Sequence, residues 1–313
     1  MSIEKSRIYF VSGVIICLIG AICFSTKAVI VKLAYRDTSV DAVTLLALRM
    51  LFSLPFFVIS ALSVSGKQGN VKFTSKQWLA VAIVGCLGYY ISSLFDFLGL
   101  QYVSAGMERL ILFVYPTLVL LISSLLLKEK IKKLQWIAVA VTYGGLLLAF
   151  VNEADFQSGE NNHFVLGSIL ILVCAFTYAT YIVGSGRLIP VLGAAKFNSY
   201  AMSFACLAVL AHFFITSDGS LLHFSPSVYY YSLLMAVLST VVPSYLVSEG
   251  IKRIGSDNAA IVGSIGPVST ILQAYFLLYE PISPIQLFGT LLILAGVLII
   301  TLKKKAPEAR TVA

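Results

Sequence analysis

Charge is what this chain of 313 residues has least of: only 12% of its residues are Asp, Glu, Lys or Arg, where a soluble domain carries roughly a quarter. A soluble fold is thereby excluded. Catalytic apparatus is missing as well. No H-E-x-x-H, G-x-S-x-G or Walker-type loop occurs, and the three histidines are scattered, so no recognisable motif supplies a metal-assisted hydrolase or a nucleophile with its base. The five cysteines, Cys17, Cys23, Cys86, Cys174 and Cys206, are odd in number and form no CxxC pair. That pattern fits buried thiols and calls for no disulfide framework, metal site or cofactor.

What fills the chain instead is apolar: 59% of the residues are hydrophobic and the mean hydropathy is +0.94. Apolar stretches of about 20 residues cross a hydrocarbon layer about 30 Å thick as helices. Ten such stretches follow one another, at about 8–32, 41–64, 77–98, 102–127, 134–151, 164–185, 195–216, 227–250, 256–279 and 283–302. Lys, Asp, Gly, Asn and Pro fall between them, as helix ends require. The first stretch is too long for a signal-peptide core and no small-residue cleavage site follows it, so it reads as a retained helix. The net charge of +8 would suit nucleic acid, but its distribution points elsewhere. Seventeen of the 22 Lys and Arg residues lie in one set of alternate loops, and the other set holds only Lys32 and Arg36. Basic loops stay in the cytoplasm, so both termini are expected there, in a multi-pass protein of the cell membrane with no nucleic-acid partner. The loop 152–163, with Glu153, Asp155 and Glu160 and no base, belongs outside.

The chain is also built twice. Pro116 and Glu129 recur as Pro267 and Glu280, and the same displacement of 151 residues superposes Cys23 on Cys174, Thr26 on Thr177, Gly99 on Gly250, Gln135 on Gln286 and Gly145 on Gly296 without an insertion. Leucines match by chance in so apolar a sequence; Pro, Glu, Gln and Gly in one register do not. The expected fold is therefore an all-α integral membrane protein of ten transmembrane helices arranged as two five-helix repeats. Five is odd, so the second copy enters the membrane from the opposite side and the repeats are inverted, a recurring design of secondary transporters. The expected division is a first repeat at 1–151, the external loop 152–163, a second repeat at 164–302 and a cytoplasmic tail at 303–313.

Within this pattern, the segment 108–150 carries Pro116, then Glu129 at a short turn, then Gln135 and Gly144-Gly145, and the segment 261–300 repeats that order. This pair resembles the EamA-type repeat of the drug/metabolite transporter superfamily over essentially the whole chain. The resemblance implies ten helices, a central cavity between the halves, and secondary or facilitated movement of small metabolites. Efflux of amino acids and metabolites is common in that group, and the cavity would be lined by spans one, three, four, six, eight and nine.

Charges inside the spans mark the candidate site, because an ionised group at the bilayer centre costs several kcal/mol unless a partner, water or an interface receives it. Lys27, Arg49, Asp96, Glu108 and Arg109 all fall in the outer half of their spans. They form either the polar lining and external gate of the cavity, with Asp96 or Glu108 available for proton coupling, or structural pairs. Lys27 and Arg49 also suit snorkelling toward headgroups. The positions 151 residues beyond Lys27, Asp96, Glu108 and Arg109 are Tyr178, Val247, Ala259 and Ala260, so substrate contacts cannot be two-fold symmetric. The second half offers hydroxyls and rings instead. Tyr178 and Tyr181 share a helix face, Tyr245 follows Pro243, and Tyr115 lies on the face of Glu108, beside an expected kink at Pro116. Rings with a few convergent polar groups describe a small-molecule pocket. Pro116, Glu129, Pro267 and Glu280 read as structural markers, each Glu ending a helix and anchoring the turn to the next. The leading expectation is a non-enzymatic transporter, an exporter of an amino acid or related zwitterion working by alternating access. A polytopic membrane enzyme and a non-transporting membrane sensor are the alternatives.

Overall fold

A computed structural model describes residues 3–66, 73–127, 131–157, 163–217, 221–263 and 265–302. Among these every regular element is helical. In chain order they are α1 (Ile3–Asp37), α2 (Ala42–Ser65), α3 (Ser75–Gly85), a π-helical turn Cys86–Ile91, α4 (Ser92–Gly99), α5 (Ala105–Leu112), α6 (Tyr115–Leu127), α7 (Lys133–Gln157), α8 (Phe164–Leu192), α9 (Ala194–Thr216), α10 (Pro226–Ala236), a second π-helical turn Val237–Val241, α11 (Val242–Gly263), α12 (Gly266–Leu278) and α13 (Pro284–Leu302). Eight helical stretches are long and apolar enough to cross a membrane, and two shorter apolar helices, Gly266–Leu278 and Pro284–Ile299, follow them.

Local chemistry sets the borders. Asp41 starts α2 by accepting from the amides of Val43 and Thr44 at 2.9 and 3.0 Å, and Thr74 with Gln77 forms a reciprocal cap on α3, each satisfying amides that a helix start leaves free. Pro116 and Pro267 explain two interruptions. A proline has no N–H to give and its ring crowds the carbonyl four residues back. Those carbonyls belong to Leu112 and Gly263, the last residues of α5 and α11.

The duplication is written in these borders. Moved by 151 residues, the end of α2 falls on the end of α9, the start of α3 on the start of α10, one π-helical turn on the other, α6 on α12, and the start of α7 on the start of α13. One border departs from the sequence expectation. A break was expected between about 250 and 256, yet α11 runs through to Gly263. The corresponding turn of the first half restarts at Ser104, whose hydroxyl accepts from the Met107 amide at 3.1 Å; the matching position is Gly255, which has no hydroxyl with which to cap a new start.

Two helix pairs, α7 with α13 and α2 with α9, meet antiparallel. Gly145 of α7 meets Gly289 of α13 so closely that a Cβ on either would lie 2.6–2.7 Å from the other's carbonyl oxygen, while earlier in α7 Ala138 approaches the later Gly296. In α2 and α9, Met50 meets Cys206 and Ser60 meets Ser199. Small residues at such crossings let backbones approach where burial of apolar surface gives no drive between helices. The polarity of the molecule is that of a membrane protein. Large apolar side chains such as Ile59, Leu79, Phe276 and Leu291 are exposed, while Asp96, Glu108 and Arg49 are buried.

Candidate functional site

Three of the expected residues converge. Lys27 Nζ of α1 lies 2.7 Å from Asp96 Oδ2 at the end of α4 and 3.5 Å from Glu108 Oε1 in α5. Both carboxylates are buried, at 1% and 0% side-chain exposure, and Lys27 is the accessible member at 16%. Neither Lys27 nor Arg49 reaches toward headgroups. Arg49 donates from Nε to Thr240 Oγ1 at 2.9 Å and lies over the Phe97 ring, because α2 packs across the second π-helical turn. There Thr240 also donates to the Met235 carbonyl, five residues back, which such a turn leaves available.

Arg109 follows Glu108 in sequence and turns about 100° from it around the helix. Its guanidinium rests on the first residue of α12, where a Cβ on Gly266 would lie 2.8 Å from Nη2. The position 151 residues before Gly266 is Tyr115. One half therefore places a ring where the other leaves room for a guanidinium. Ser25 of α1 closes the same corner, donating to the Gly266 carbonyl at 3.1 Å while its own carbonyl accepts from Thr270. Buried atoms without a hydrogen-bond partner among the described residues cluster here: Glu108 Oε2, Arg109 Nε and Arg49 Nη1.

The tyrosines form a chain of rings beside these charges. Tyr115 and Tyr178 stand 5.1 Å apart between centroids, Tyr178 and Tyr181 5.8 Å, and Tyr181 and Tyr89 5.0 Å, with the last two hydroxyls 3.3 Å from each other. Cys174 lies one turn before Tyr178 on the same face of α8; its thiol sits 3.9 Å from Asp96 Oδ1 and 3.3 Å from the Ser92 hydroxyl. The α8 face thus meets Asp96 at Cys174 and the Tyr115 ring at Tyr178. Tyr245 is not part of this group; it is 48% exposed on α11.

Sequence reasoning did not find Tyr89 or Ser92 as partners of the cluster, although Cys174, Tyr178 and Tyr181 already recur at helical spacing. It also did not find the closure above the cluster. Lys32 donates to the carbonyls of Leu100 and Val103 at 3.2 and 3.0 Å. Glu280 accepts from the amides of Ala105 and Gly106 at 2.9 and 3.2 Å. Glu280 was expected to anchor the turn to its own next helix, yet it caps α5, an element of the other half. Its counterpart Glu129 lies outside the described residues. A pocket of about 320 Å³ at this end is lined by Lys32, Tyr35, Arg36, Gln101, Leu278 and Glu280. Its charges already hold helix ends, and Arg36 is paired with Asp37.

The EamA-like transporter family model matches the chain twice, over residues 11–151 and 165–302. An uncharacterised transporter of Bacillus subtilis, YcbK, is 32% identical over 91% of this chain and 92% of its own length. An uncharacterised transporter of Synechocystis is 24% identical over 95% of each chain, and the inner membrane transporter YicL of Salmonella typhimurium is 23% identical over 94% of this chain and 96% of its own. A solved crystal structure superposes with a TM-score of 0.63 over 96% of this chain and 99% of the other, at 18% identity.

Proposed function

Because the chain belongs to the EamA-like transporter family, we propose that it is a secondary or facilitative exporter of a small metabolite, an amino acid or related zwitterion, working by alternating access around a cavity between two inverted five-helix repeats. The observation that carries this reading is the cluster of opposite charges held inside the apolar body by α1, α4 and α5, where Lys27 serves two buried carboxylates and Arg109 carries a nitrogen without a partner. A packed structural core does not require such groups, and each is expensive in lipid.

Inversion is supported by the antiparallel meeting of α7 with α13 and of α2 with α9, since each pair is related by the displacement of 151 residues. Ten spans follow if the two shorter apolar helices, Gly266–Leu278 and Pro284–Ile299, are the ninth and tenth. Both termini then lie in the cytoplasm, and Lys32 and Glu280 close the external side. Glu108 is the group we assign to proton exchange, since it shares Lys27 with Asp96 and is the carboxylate with a free oxygen.

Reconstituted protein in liposomes tests the reading by counterflow of labelled amino acids against an internal pool of the same compound. The expected result is exchange by the wild-type chain that is abolished in an Arg109→Ala protein that remains folded. Binding without any exchange by the wild-type chain would make it a sensor.

A further inference from the structure

We propose that this site, taken as the substrate site of the transporter just described, binds the two ends of a free α-amino acid at separate places: the carboxylate on Arg109, and the ammonium on the Asp96–Glu108 pair in place of Lys27. Lys27 is then an internal stand-in for the substrate amine.

The two carboxylates share a single cation, and Lys27 Nζ is unequally placed, 2.7 Å from Asp96 and 3.5 Å from Glu108. Glu108 Oε2 is buried without a hydrogen-bond donor. A primary ammonium carries three donors, so a ligand amine can occupy the same position and reach the oxygen that Lys27 leaves unserved. The approach is from the Lys27 side, since that residue alone among the three has accessible surface. An amine arriving there meets the lysine first and displaces it.

The exchange replaces one ammonium with another. The charge beside the buried carboxylates is unchanged; the displaced Lys27 ammonium has to be received by water on its accessible side, and the balance rests on the other end of the ligand. Arg109 supplies that difference. Its Nε has no acceptor and its Nη2 sits against Gly266, so a carboxylate bridging the guanidinium gains charge-assisted bonds, frequently bidentate in such pairs, that the lysine side chain cannot offer. Arg49 also has a buried nitrogen without a partner, Nη1, but its Nε is held by Thr240 and its plane by Phe97, which leaves Arg109 the less committed of the two. Arg109 follows Glu108 directly in α5, which keeps the two half-sites adjacent. A ligand with only one of the two charged groups satisfies only one of them.

The experiment is a thermal-shift titration of the purified full-length chain with each of the twenty common L-amino acids, followed by the N-acetyl derivative and the methyl ester of the compound that stabilises most. At least one free amino acid is expected to raise the melting temperature, and each derivative to bind about tenfold or more weakly, as loss of a bond to a charged group implies. Arg109→Gln should erase the preference for the acid over the ester while keeping the preference for the free amine. Lys27→Gln removes the internal competitor and should bind about tenfold tighter, since apparent affinity scales with the competent fraction. Lys27→Arg retains the charge, holds the carboxylates with two prongs, and should bind more weakly than the wild type, which keeps the test open if Lys27→Gln does not fold.

Stabilisation by no amino acid, an N-acetyl form that binds as well as the free one, or a folded Lys27→Gln protein no tighter than wild type would each overturn the proposal. Flux of another class of metabolite without amino-acid binding would sink this assignment and leave transport standing; absence of all flux would sink transport itself.

Discussion

One lysine between two buried carboxylates is an arrangement that single substitutions should upset in different ways. Glu108→Gln keeps the shape, removes one negative charge and leaves Lys27 paired with Asp96, so the protein should insert and fold. Its flux in liposomes should lose most of its dependence on pH. An unchanged rate and pH profile would make Glu108 a structural partner of Lys27 and move the coupling elsewhere. Gly266→Ala acts on the opposite end of the site. The added methyl would lie 2.8 Å from Arg109 Nη2, and the long arginine side chain yields more easily than the helix. A weaker substrate interaction is expected, about tenfold or 1.4 kcal/mol, with a melting temperature close to that of the wild type. Equal affinity in the variant would show that the guanidinium does not need its present position. Both residues were visible in the sequence as charge or glycine. Only the fold sets Gly266 opposite Arg109, because their meeting depends on α5 lying against α12.

At the scale of elements, the two short helices α4 and α5 carry the carboxylates, and neither helix is secured by its own length. Lys32 of α1 holds the carbonyls of Leu100 and Val103 in the turn that follows α4, and Glu280 holds the first amides of α5 from the other half. A cation at a helix C-terminus and an anion at an N-terminus both lie favourably in the helix dipole. Each hydrogen bond lost should cost roughly 1 kcal/mol, more where a charge takes part. Melting temperature should therefore fall from wild type to Glu280→Gln to Glu280→Ala, since the amide retains an acceptor and the methyl retains none. Substrate affinity of the folded fraction should change little by comparison. Lost binding with an unaltered melting temperature would instead place Glu280 in the substrate's path. The glutamate was legible as a repeat marker from its register with Glu129. Its true partner was not, because nothing local in the sequence connects residue 280 to residue 105.

The whole molecule rests on two copies of one design, and topology tests the proposal that they face opposite ways. Single cysteines placed at 158–162, between α7 and α8, should react with a membrane-impermeant thiol reagent added to intact cells, whereas cysteines placed after Lys303 should react only once the membrane is opened. Labelling in the reverse pattern would overturn the orientation and with it the external position of the Lys32 and Glu280 closure. The borders of α2, α3 and α6 and the start of α7 recur 151 residues later within one position, so the template survived its duplication at the level of turns and breaks even where side chains diverged. The divergence is chemical: Lys27 corresponds to Tyr178, and Tyr115 to Gly266. Both members of each pair lie in or against the same cluster.

The sequence by itself determined the solvent, the helical class, the doubling and the five charged residues that lipid cannot accept unpartnered. These are properties of composition and period, which act along the chain and need no neighbour. Tertiary structure alone decided which charges meet: Lys27 with Asp96 and Glu108, Arg49 with Thr240 and Phe97, and Glu280 with the start of α5. Inside an apolar body a charge is stabilised by what stands within a few ångströms. That distance is set by how helices remote in sequence cross, and a linear pattern of residues does not contain it.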